Sequence, residues 1–492
     1  VQSRANQPVH RMDLHIVIDP GQPRGEQLLR QLRSLIRSGR LATGTQLPPT
    51  RLLATQLGLA RQTVAQAYER LALEQLVDAR RGHGSFVRAL PALAETVALP
   101  ATPPRLASAG RIAAFRDLPL PLLRTADAPL ARYDFVGGSP EPALFPHADW
   151  RRHLLAAQRQ LGQGGAHAPP AGLPALREAI AEHVAFARGV RCSAADIIVT
   201  QGAQQAFDLL VRVLVGPGDV AALESPGYPP LAAMLQAQGA RAHPVPVDDE
   251  GLVTDALPPA AGLVYTTPAH QFPFGVAMSH ARRLALLAWA SRSGAVVIED
   301  DYDSEFRFEG HPRDSLQGLD GEGRVAFVGS FSKTLAPSLR LGYIVVPPRL
   351  PALREALLNA KHLADAHGPS LLQHALARWM AEGGYRRHLR RCMAEYARRR
   401  ERLRAGFDTA LAPWLRLLPA EAGFHQAALL RPGLALDAPR LAALARRVDV
   451  GLYPLQRFGN APDGLLMGFG RVAPDDIDTA VGRIGEILDA AG

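Results

Sequence analysis

The chain has 492 residues, is 47% hydrophobic and carries a net charge of +9. That length predicts about three domains rather than one core. The lack of an apolar run of about 18 residues excludes a membrane-spanning helix. No signal-peptide core opens the chain over residues 1–20, and Cys192 and Cys392 stand too far apart to form a metal-ligand cluster. A bacterial-type cytoplasmic protein without a metal site is expected. The charge is uneven. Residues 1–88 hold thirteen arginines against six acidic residues, and the rest of the chain is nearly neutral. A small basic end on a neutral body suggests a polyanion as partner for that end.

Gly25–Gly39 reads as a first helix, with Leu28, Leu32, Leu35 and Ile36 in one apolar stripe and Gly39 as its stop. Leu47-Pro48-Pro49-Thr50 opens a second helix over Arg51–Leu57, closed by Gly58. A third begins at Ala60-Arg61-Gln62-Thr63 and runs to about Gln75, with Val64, Ala67 and Leu71 facing inward. The turn between the last two is as short as a helix-turn-helix unit requires. Leu76–Ala79 and Gly84–Val87 then read as two short strands around a basic tip, Arg80-Arg81-Gly82-His83. Three helices and a basic hairpin make a winged helix.

This segment, residues 14–88, resembles the GntR type of winged-helix DNA-binding domain. The matching pieces are Ser38-Gly39-Arg40, Gly44 with Leu47-Pro48 and Arg51, Arg61 with Thr63-Val64, Ala67-Tyr68 with Leu71, and Gly82 with Gly84-Ser85-Phe86-Val87. The resemblance implies that Arg51, Arg61, Gln62 and Thr63 meet phosphates and base edges of double-stranded operator DNA. It also implies that Gly82, flanked by Arg81 and His83, brings the wing close to the duplex. Pro49 and Ala60 stand where the family usually has Ser, and each loses a helix cap worth about 1 kcal/mol.

Residues 89–132, rich in Pro and Ala, predict a semi-extended tether with one short helix near Arg111–Phe115. Beyond it, apolar strand-like runs alternate with helical stretches: Ile197–Thr200, Val220–Leu223, Leu263–Tyr265, Ala295–Ile298, Val325–Val328 and Tyr343–Val346. That order predicts an α/β large domain over 133–350 with a mostly parallel buried sheet, and ligands beyond the strands' C-terminal ends. Residues 351–492 predict a smaller α+β subdomain.

The polar motifs follow those strands. Gly202-Ala203-Gln204 opens an apolar helix, as phosphate-binding turns do. Tyr228 stands on a Pro-Gly turn and offers a ring for stacking. Glu299-Asp300-Asp301 are three acids at a buried strand end, where they require a cation such as a protonated pyridine nitrogen. Lys333 follows the fifth strand within Ser330-Phe331-Ser332-Lys333, with Arg340 seven residues on. It is one of only two lysines, the other being Lys361, among 55 basic residues. A lysine can lose its proton and attack an aldehyde, which an arginine cannot. Together these pieces form a site for pyridoxal 5′-phosphate (PLP).

The body resembles fold-type I aminotransferases, and the whole chain resembles the MocR/GabR subgroup of GntR regulators. The resemblance implies that Lys333 is the Schiff-base lysine, that Asp300 pairs with the pyridine nitrogen and that Tyr302 bonds the ring hydroxyl. It puts Tyr228 over the ring, and gives the phosphate to Gly202, Ala203, Gln204, Ser330, Ser332 and Arg340. His270 or Gln271 takes the place of the ring-facing Asn of aminotransferases. Leu466 stands where they carry a carboxylate-binding Arg, with Arg471 as the candidate substitute for an effector. The subgroup implies a domain-swapped homodimer that senses an amine, an amino acid or PLP itself, with no more than a residual half-transamination. A working aminotransferase with an accessory DNA-binding domain is the alternative, and a DNA-binding dimer with purely structural PLP is a third.

Overall fold

The structure, a computed structural model, describes residues 14–80, 82–89, 112, 115–118, 131–161, 167–310 and 314–491. The chain divides into two units, Val1–Ala107 and Ser108–Gly492. In the first, α1 (Arg24–Arg37), α2 (Thr50–Leu57) and α3 (Arg61–Leu73) precede a hairpin of β1 (Val77–Arg80) and β2 (Gly84–Val87). Leu28, Leu32 and Ile36 of the α1 stripe are buried against Leu53, Val64 and Leu71. Gly58 ends α2 in the left-handed region at φ 62°, a conformation that costs glycine nothing. The wing closes with Arg80 opposite Gly84, and Gln46 Nε2 donates to the His83 carbonyl at 2.7 Å, tying the tip to the helices. Helical backbone appears at Ile112, Phe115 and Arg116; most of the predicted tether lies outside the described residues.

The second unit opens with β3 (Tyr133–Asp134), α4 (His147–Leu161) and α5 (Pro174–Arg188). Its sheet is built from β4 (Ile197–Thr200), β5 (Val220–Ser225), β6 (Arg241–Asp248), β7 (Gly251–Leu252), β8 (Ala261–Thr266), β9 (Val296–Asp301), β10 (Val325–Ser330) and β11 (Gly342–Val345). The strand order is β4-β11-β10-β9-β8-β5-β6-β7. Pairs β10–β9, β9–β8, β8–β5 and β5–β6 are parallel; β11 runs antiparallel to both its neighbours and β7 to β6. Strand alternation sorts the core into two layers. Ile198, Ala326, Val328 and Ile344 face α6 (Ala203–Leu214) and α7 (Pro229–Ala237). Val199, Phe327, Tyr343 and Val345 face the side that holds α5. β6 is not among the strands expected from the sequence, because Arg241–Asp248 is mostly exposed and carries two prolines.

After α8 (His280–Ser293), the short α9 (Leu316–Leu319), α10 (Pro351–Asp365), α11 (Ser370–Ala381) and the long α12 (Gly384–Gly406), a second sheet forms. It comprises β12 (Leu415–Leu417), β13 (His425–Leu430), β15 (Tyr453–Pro454) and β16 (Gly464–Gly468) in the order β12-β13-β16-β15, all antiparallel. Between them lie α13 (Ala438–Arg447) and β14 (Val450–Gly451), and α14 (Pro474–Asp489) ends the chain's described elements. β3 pairs with β14, and Tyr133 and Phe135 join the core of this smaller layer. Residues 133–135 thus pack with the C-terminal region, although the sequence places them at the start of the large domain. No described helix is long and apolar enough to cross a membrane.

Candidate cofactor site and DNA-facing surface

At the C-terminal ends of β5, β8, β9 and β10 lies a cavity of about 210 Å³. Its lining includes Ala203, Gln204, Tyr228, Asp300, Tyr302, Ser330, Ser332, Lys333 and Arg340, so nine of the residues singled out in the sequence converge here. A larger recess of about 450 Å³, bounded by Gln160, Glu178, His183 and Arg386, holds none of them.

Lys333 leaves the turn after β10 and donates to the Gly138 carbonyl at 2.6 Å. Gly138 sits at φ 70°, and a Cβ there would come within 2.6 Å of Nζ. Sequence reasoning misses Gly137 and Gly138, since a Gly-Gly pair carries no chemical signature of its own. Burial lowers the amine's pKa, and Asp303 and Asp300 work against that shift. Lys361, the other lysine, is closed in an ion pair with Asp365 at 2.7 Å.

Asp300 is buried and held by the Tyr265 hydroxyl at 2.7 Å through Oδ2, while Oδ1 has no partner. Burial pushes its pKa up to about 7, partly offset by Tyr265. A buried carboxylate with an open oxygen is suited to a protonated ring nitrogen. Sequence reasoning misses Tyr265 too, because an inward strand tyrosine resembles any core residue. The neighbouring acids serve other purposes. Glu299 accepts from the backbone N–H groups of Leu316 and Gln317, and Asp301 pairs with Arg188 at 2.6 Å. Of the three acids at this strand end, Asp300 is the one that lines the cavity.

At the opposite end, Gly202 caps α6 at φ 77°. A Cβ on it would meet the Arg340 guanidinium at 3.1 Å. Arg340 donates to the Gln201 carbonyl at 2.9 Å, and the Ser330 hydroxyl accepts from the Ser332 N–H at 3.1 Å. Free helix N–H groups, hydroxyls and a guanidinium form an anion cradle. Behind it, Asp365 accepts from Gln201, Gln205 and Lys361, bracing the turn. The Tyr228 hydroxyl donates to Gln204 at 2.9 Å, and burial pushes its pKa up to about 12.

Four expected residues do not line the cavity, the first being Gly202, which caps α6 next to Ala203 of the lining. His270 is buried beside Asp303. Gln271 is spent on the Pro226 and Phe272 carbonyls and on Glu224. Phe272 is the residue this loop presents to the cavity instead. Arg471 is exposed and outside the lining; the residue before it, Gly470, sits where a Cβ would collide with the Ser139 carbonyl and Phe424. Leu466 is buried against Gly137. Arg340, at the cradle, is the sole arginine among the lining residues.

In the first unit, Arg51, Arg61, Gln62, Gly82 and His83 are exposed and Thr63 is half-buried. Arg51 and Arg61 form no ion pair among the described residues. α2 and α3 begin at Pro49 and Ala60 without a side-chain cap; the Leu52 and Thr63 N–H groups bond back to the Pro49 and Ala60 carbonyls, so the N–H groups ahead of them are the ones open to phosphate. Arg81 lies outside the described residues.

Two family models match: bacterial regulatory proteins of the gntR family over residues 24–87, and aminotransferase class I and II over residues 146–483. The probable rhizopine catabolism regulatory protein MocR of Rhizobium meliloti is 38% identical, over 93% of this chain and 92% of that one. The pyridoxine biosynthesis transcriptional regulator PdxR of Corynebacterium glutamicum is 33% identical over 97% and 98%. Among solved structures, the kynurenine aminotransferase of Pyrococcus horikoshii, crystallised with PMP, matches at a TM-score of 0.66 and 27% identity, covering 73% of this chain and 90% of that one. The chain therefore belongs to the MocR/GabR subgroup of GntR-family transcriptional regulators, in which a winged helix is joined to an aminotransferase class I and II domain.

Proposed function

We propose that this regulator binds operator DNA through α2, α3 and the wing, and that its body holds PLP on Lys333 and responds to an amine, an amino acid or PLP itself. One observation carries the reading. A single chain combines helix starts without a side-chain cap, whose arginines form no ion pair among the described residues, with a cavity that joins Lys333, an open Asp300 oxygen and an anion cradle. The donor set fits the cofactor. Gly202, Ala203, Gln204, Ser330, Ser332 and Arg340 would hold its phosphate, Asp300 its ring nitrogen and Tyr302 its ring hydroxyl, with Tyr228 beside the ring. Bound there, PLP supplies an aldehyde for amine capture and an electron sink. The chain's own part is to orient the ring, exclude water and supply an amine whose proton burial loosens.

The missing arginine at Leu466, with Arg471 outside the cavity, supports sensing over turnover, since nothing else in the lining would clamp a substrate carboxylate. Net transamination by an accessory-domain aminotransferase is the second reading, favoured by the intact Lys333–Asp300–Tyr302 set. The subgroup resemblance further supports a cytoplasmic, domain-swapped homodimer reading two separated half-sites, which footprinting resolves from one compact palindrome. The deciding experiment is a screen of amines, amino acids and PLP against both the absorbance of the purified protein and its DNA-binding isotherm. A ligand that changes both supports the sensor. Steady keto-acid turnover without any effect on DNA binding would establish the aminotransferase instead.

A further inference from the structure

Three side chains behind the cavity wall converge from elements that the sequence keeps far apart. His270 stands on the loop after β8, Asp303 on the loop after β9 and His425 at the start of β13, in the second sheet. Each is at most 2% exposed, and one polar atom from each lies within 4.8 Å of the others. The carboxylate offers one oxygen to each imidazole. Asp303 Oδ1 meets His270 Nδ1 at 2.8 Å, and Oδ2 faces His425 Nδ1 at 3.9 Å. The two ring centroids lie 4.4 Å apart. The backbone is shaped to allow this approach: at Gly423, φ 76°, a Cβ would collide with the His270 ring and the Asp303 carboxylate.

Hydrogen bonding within the group does not account for it. One shared proton joins His270 to Asp303, and the Tyr302 hydroxyl holds the His270 loop by donating to the His270 carbonyl at 2.8 Å. Asp303 Oδ2 and both ring nitrogens of His425 remain buried, with no partner in hydrogen-bond geometry among the described residues. Unmet buried polar atoms are costly, and a buried carboxylate most of all. A single divalent cation meets the carboxylate and both rings at once. The ligand types choose the cation. Magnesium and calcium take about six or more oxygens, and this group holds one carboxylate. It contains no thiolate for a soft ion. Two imidazoles and a carboxylate suit zinc or a neighbour in the first transition row. At metal–ligand distances of about 2.0–2.2 Å, tetrahedral ligands stand about 3.4 Å apart. The observed 2.8 and 3.9 Å straddle that spacing.

We propose that His270, Asp303 and His425 form a structural site for a zinc-type divalent cation that clasps the second sheet to the loops at the ends of β8 and β9. His270 and His425 each give an imidazole nitrogen, and Asp303 closes the coordination with its two oxygens. Coordination displaces the proton shared by His270 and Asp303 to solvent. Burial leaves no open position for a substrate, so the ion holds structure and takes no part in a reaction. None of the three ligands lines the Lys333 cavity, but two lining residues lean on them. The His425 ring runs parallel to that of Tyr302, at 12° and 6.3 Å, and meets Phe272 edge-on at 5.8 Å. The clasp thus fixes the wall behind Tyr302 and Phe272 without entering the cavity.

The test measures the metal on the full-length, cofactor-free protein. Chain purified from zinc-supplemented cells, stripped with a chelator and reloaded with zinc(II), should retain about one ion per chain by plasma mass spectrometry. Cobalt(II) in its place should give the visible absorption of a four-coordinate nitrogen–oxygen site. Zinc should also raise the melting temperature of the body, since a ligand of the native state stabilises it. His425→Ala and Asp303→Asn should each weaken zinc retention by at least about tenfold. The exposed pair His167 and His367, 3.4 Å apart, controls for surface binding: His367→Ala should keep the ion and the cobalt spectrum. Retention by His425→Ala at wild-type strength would overturn the proposal, and loss from His367→Ala would mean an adventitious ion only. A wild type that retains no zinc and shows no cobalt band would overturn it as well. Should the ligand variants fail to fold, the wild type and His367→Ala decide alone, by stoichiometry, cobalt spectrum and melting. These readouts involve no cofactor, DNA or effector, so a negative result leaves the regulator reading standing.

Discussion

The two units of this chain handle charge in opposite ways. In the winged helix Arg51 and Arg61 are exposed and unpaired among the described residues, beside helix starts that lack caps. In the body Glu224, Glu299, Asp300, Asp301 and Asp303 are all buried, and each has its own answer. Glu224 accepts from Thr266 and Thr267, Glu299 from two backbone N–H groups, Asp301 from Arg188 and Asp303 from His270. Asp300 is answered by Tyr265 through one oxygen, and Asp300, Asp301 and Asp303 each keep one buried oxygen without a partner among the described residues; of these three, Asp300 lines the cavity. Exposed charge is screened by salt and available to any polyanion, whereas buried charge is set by its partners and scarcely screened. One region is therefore tuned from solution, and the other by what enters its cavity. In the absence of effector, changes in one should leave the other's readout unmoved.

The largest expected effect tests that separation directly. Lys333→Ala should abolish borohydride-fixed cofactor completely, since Lys361 is committed to Asp365 and lies outside the cavity. DNA affinity in the absence of effector should stay within about twofold, because no phosphate contact is touched. The response to effector should vanish, because a ligand shifts an equilibrium only through differential affinity for its states. Peptide mapping and binding isotherms with and without effector check each part. A label found on Lys361 would reverse the assignment.

Next in size is Asp300, whose effect is read from pH. Its carboxyl stands near pKa 7 in the folded, cofactor-free protein, against about 3.9 in an unfolded chain. The folded state therefore binds more protons between those values, and stability contributed by this group falls as pH rises from about 4 to about 7. Asp300→Asn should remove that fall, a difference on the order of a few kcal/mol by pH 7. Thermal denaturation of the cofactor-free wild type and variant across this range measures it. Parallel curves would show that Asp300 is already satisfied without a ring nitrogen.

On the other side of the comparison, Arg61→Ala should weaken DNA binding about tenfold or less and reduce the salt slope by about 0.9 if it meets a phosphate. Loss of a base contact would instead cost about 1–3 kcal/mol and relax specificity at one position. In either case the absorbance of the body should not change. A shifted cofactor spectrum would show that the two kinds of charge communicate without an effector.

The same contrast explains what is legible in the sequence. The winged helix is readable almost residue by residue, because its helices announce themselves by stripes and glycine stops, and its working groups are exposed near their own motif. The six apolar strands of the body are readable for the same reason of local pattern, while β6, with its prolines and exposed face, is not. Within the site, Lys333, Asp300, Tyr302 and the cradle residues stand in local motifs at strand ends. Gly138, Tyr265 and Phe272 do not, because their places depend on strands and turns brought together from distant parts of the chain. His270 and Gln271 show the limit of reading a motif without its backbone. Their loop turns both into the interior and presents the next residue, Phe272. Arg471 shows the same limit after β16. Its distance along the chain from Leu466 is short, but β16 has ended and the chain bends between them, and Arg471 is exposed outside the cavity.

The smallest expected effect addresses how open the DNA-facing surface is. Ala60 occupies the N-cap of α3 with φ −65° and ψ 137°, the extended geometry of a capping residue, but has no oxygen to offer. Ser at this position would accept from the N–H of Gln62 without moving the backbone, the Thr63 N–H being already bonded to the Ala60 carbonyl at 3.0 Å. Ala60→Ser should therefore stabilise the winged helix by about 1 kcal/mol. That is a rise of about 4–8 °C in the melting of a domain of this size, read from the first calorimetric transition of the full chain. DNA affinity should change by less than about twofold, because the Arg61 N–H and side chain are left as they were. An unchanged melting temperature would mean that the start of α3 is already satisfied, and the picture of an uncapped, phosphate-ready helix would fail. A change in the body's transition would mean that the two units share a fate, and the separation of exposed from buried charge would fail with it.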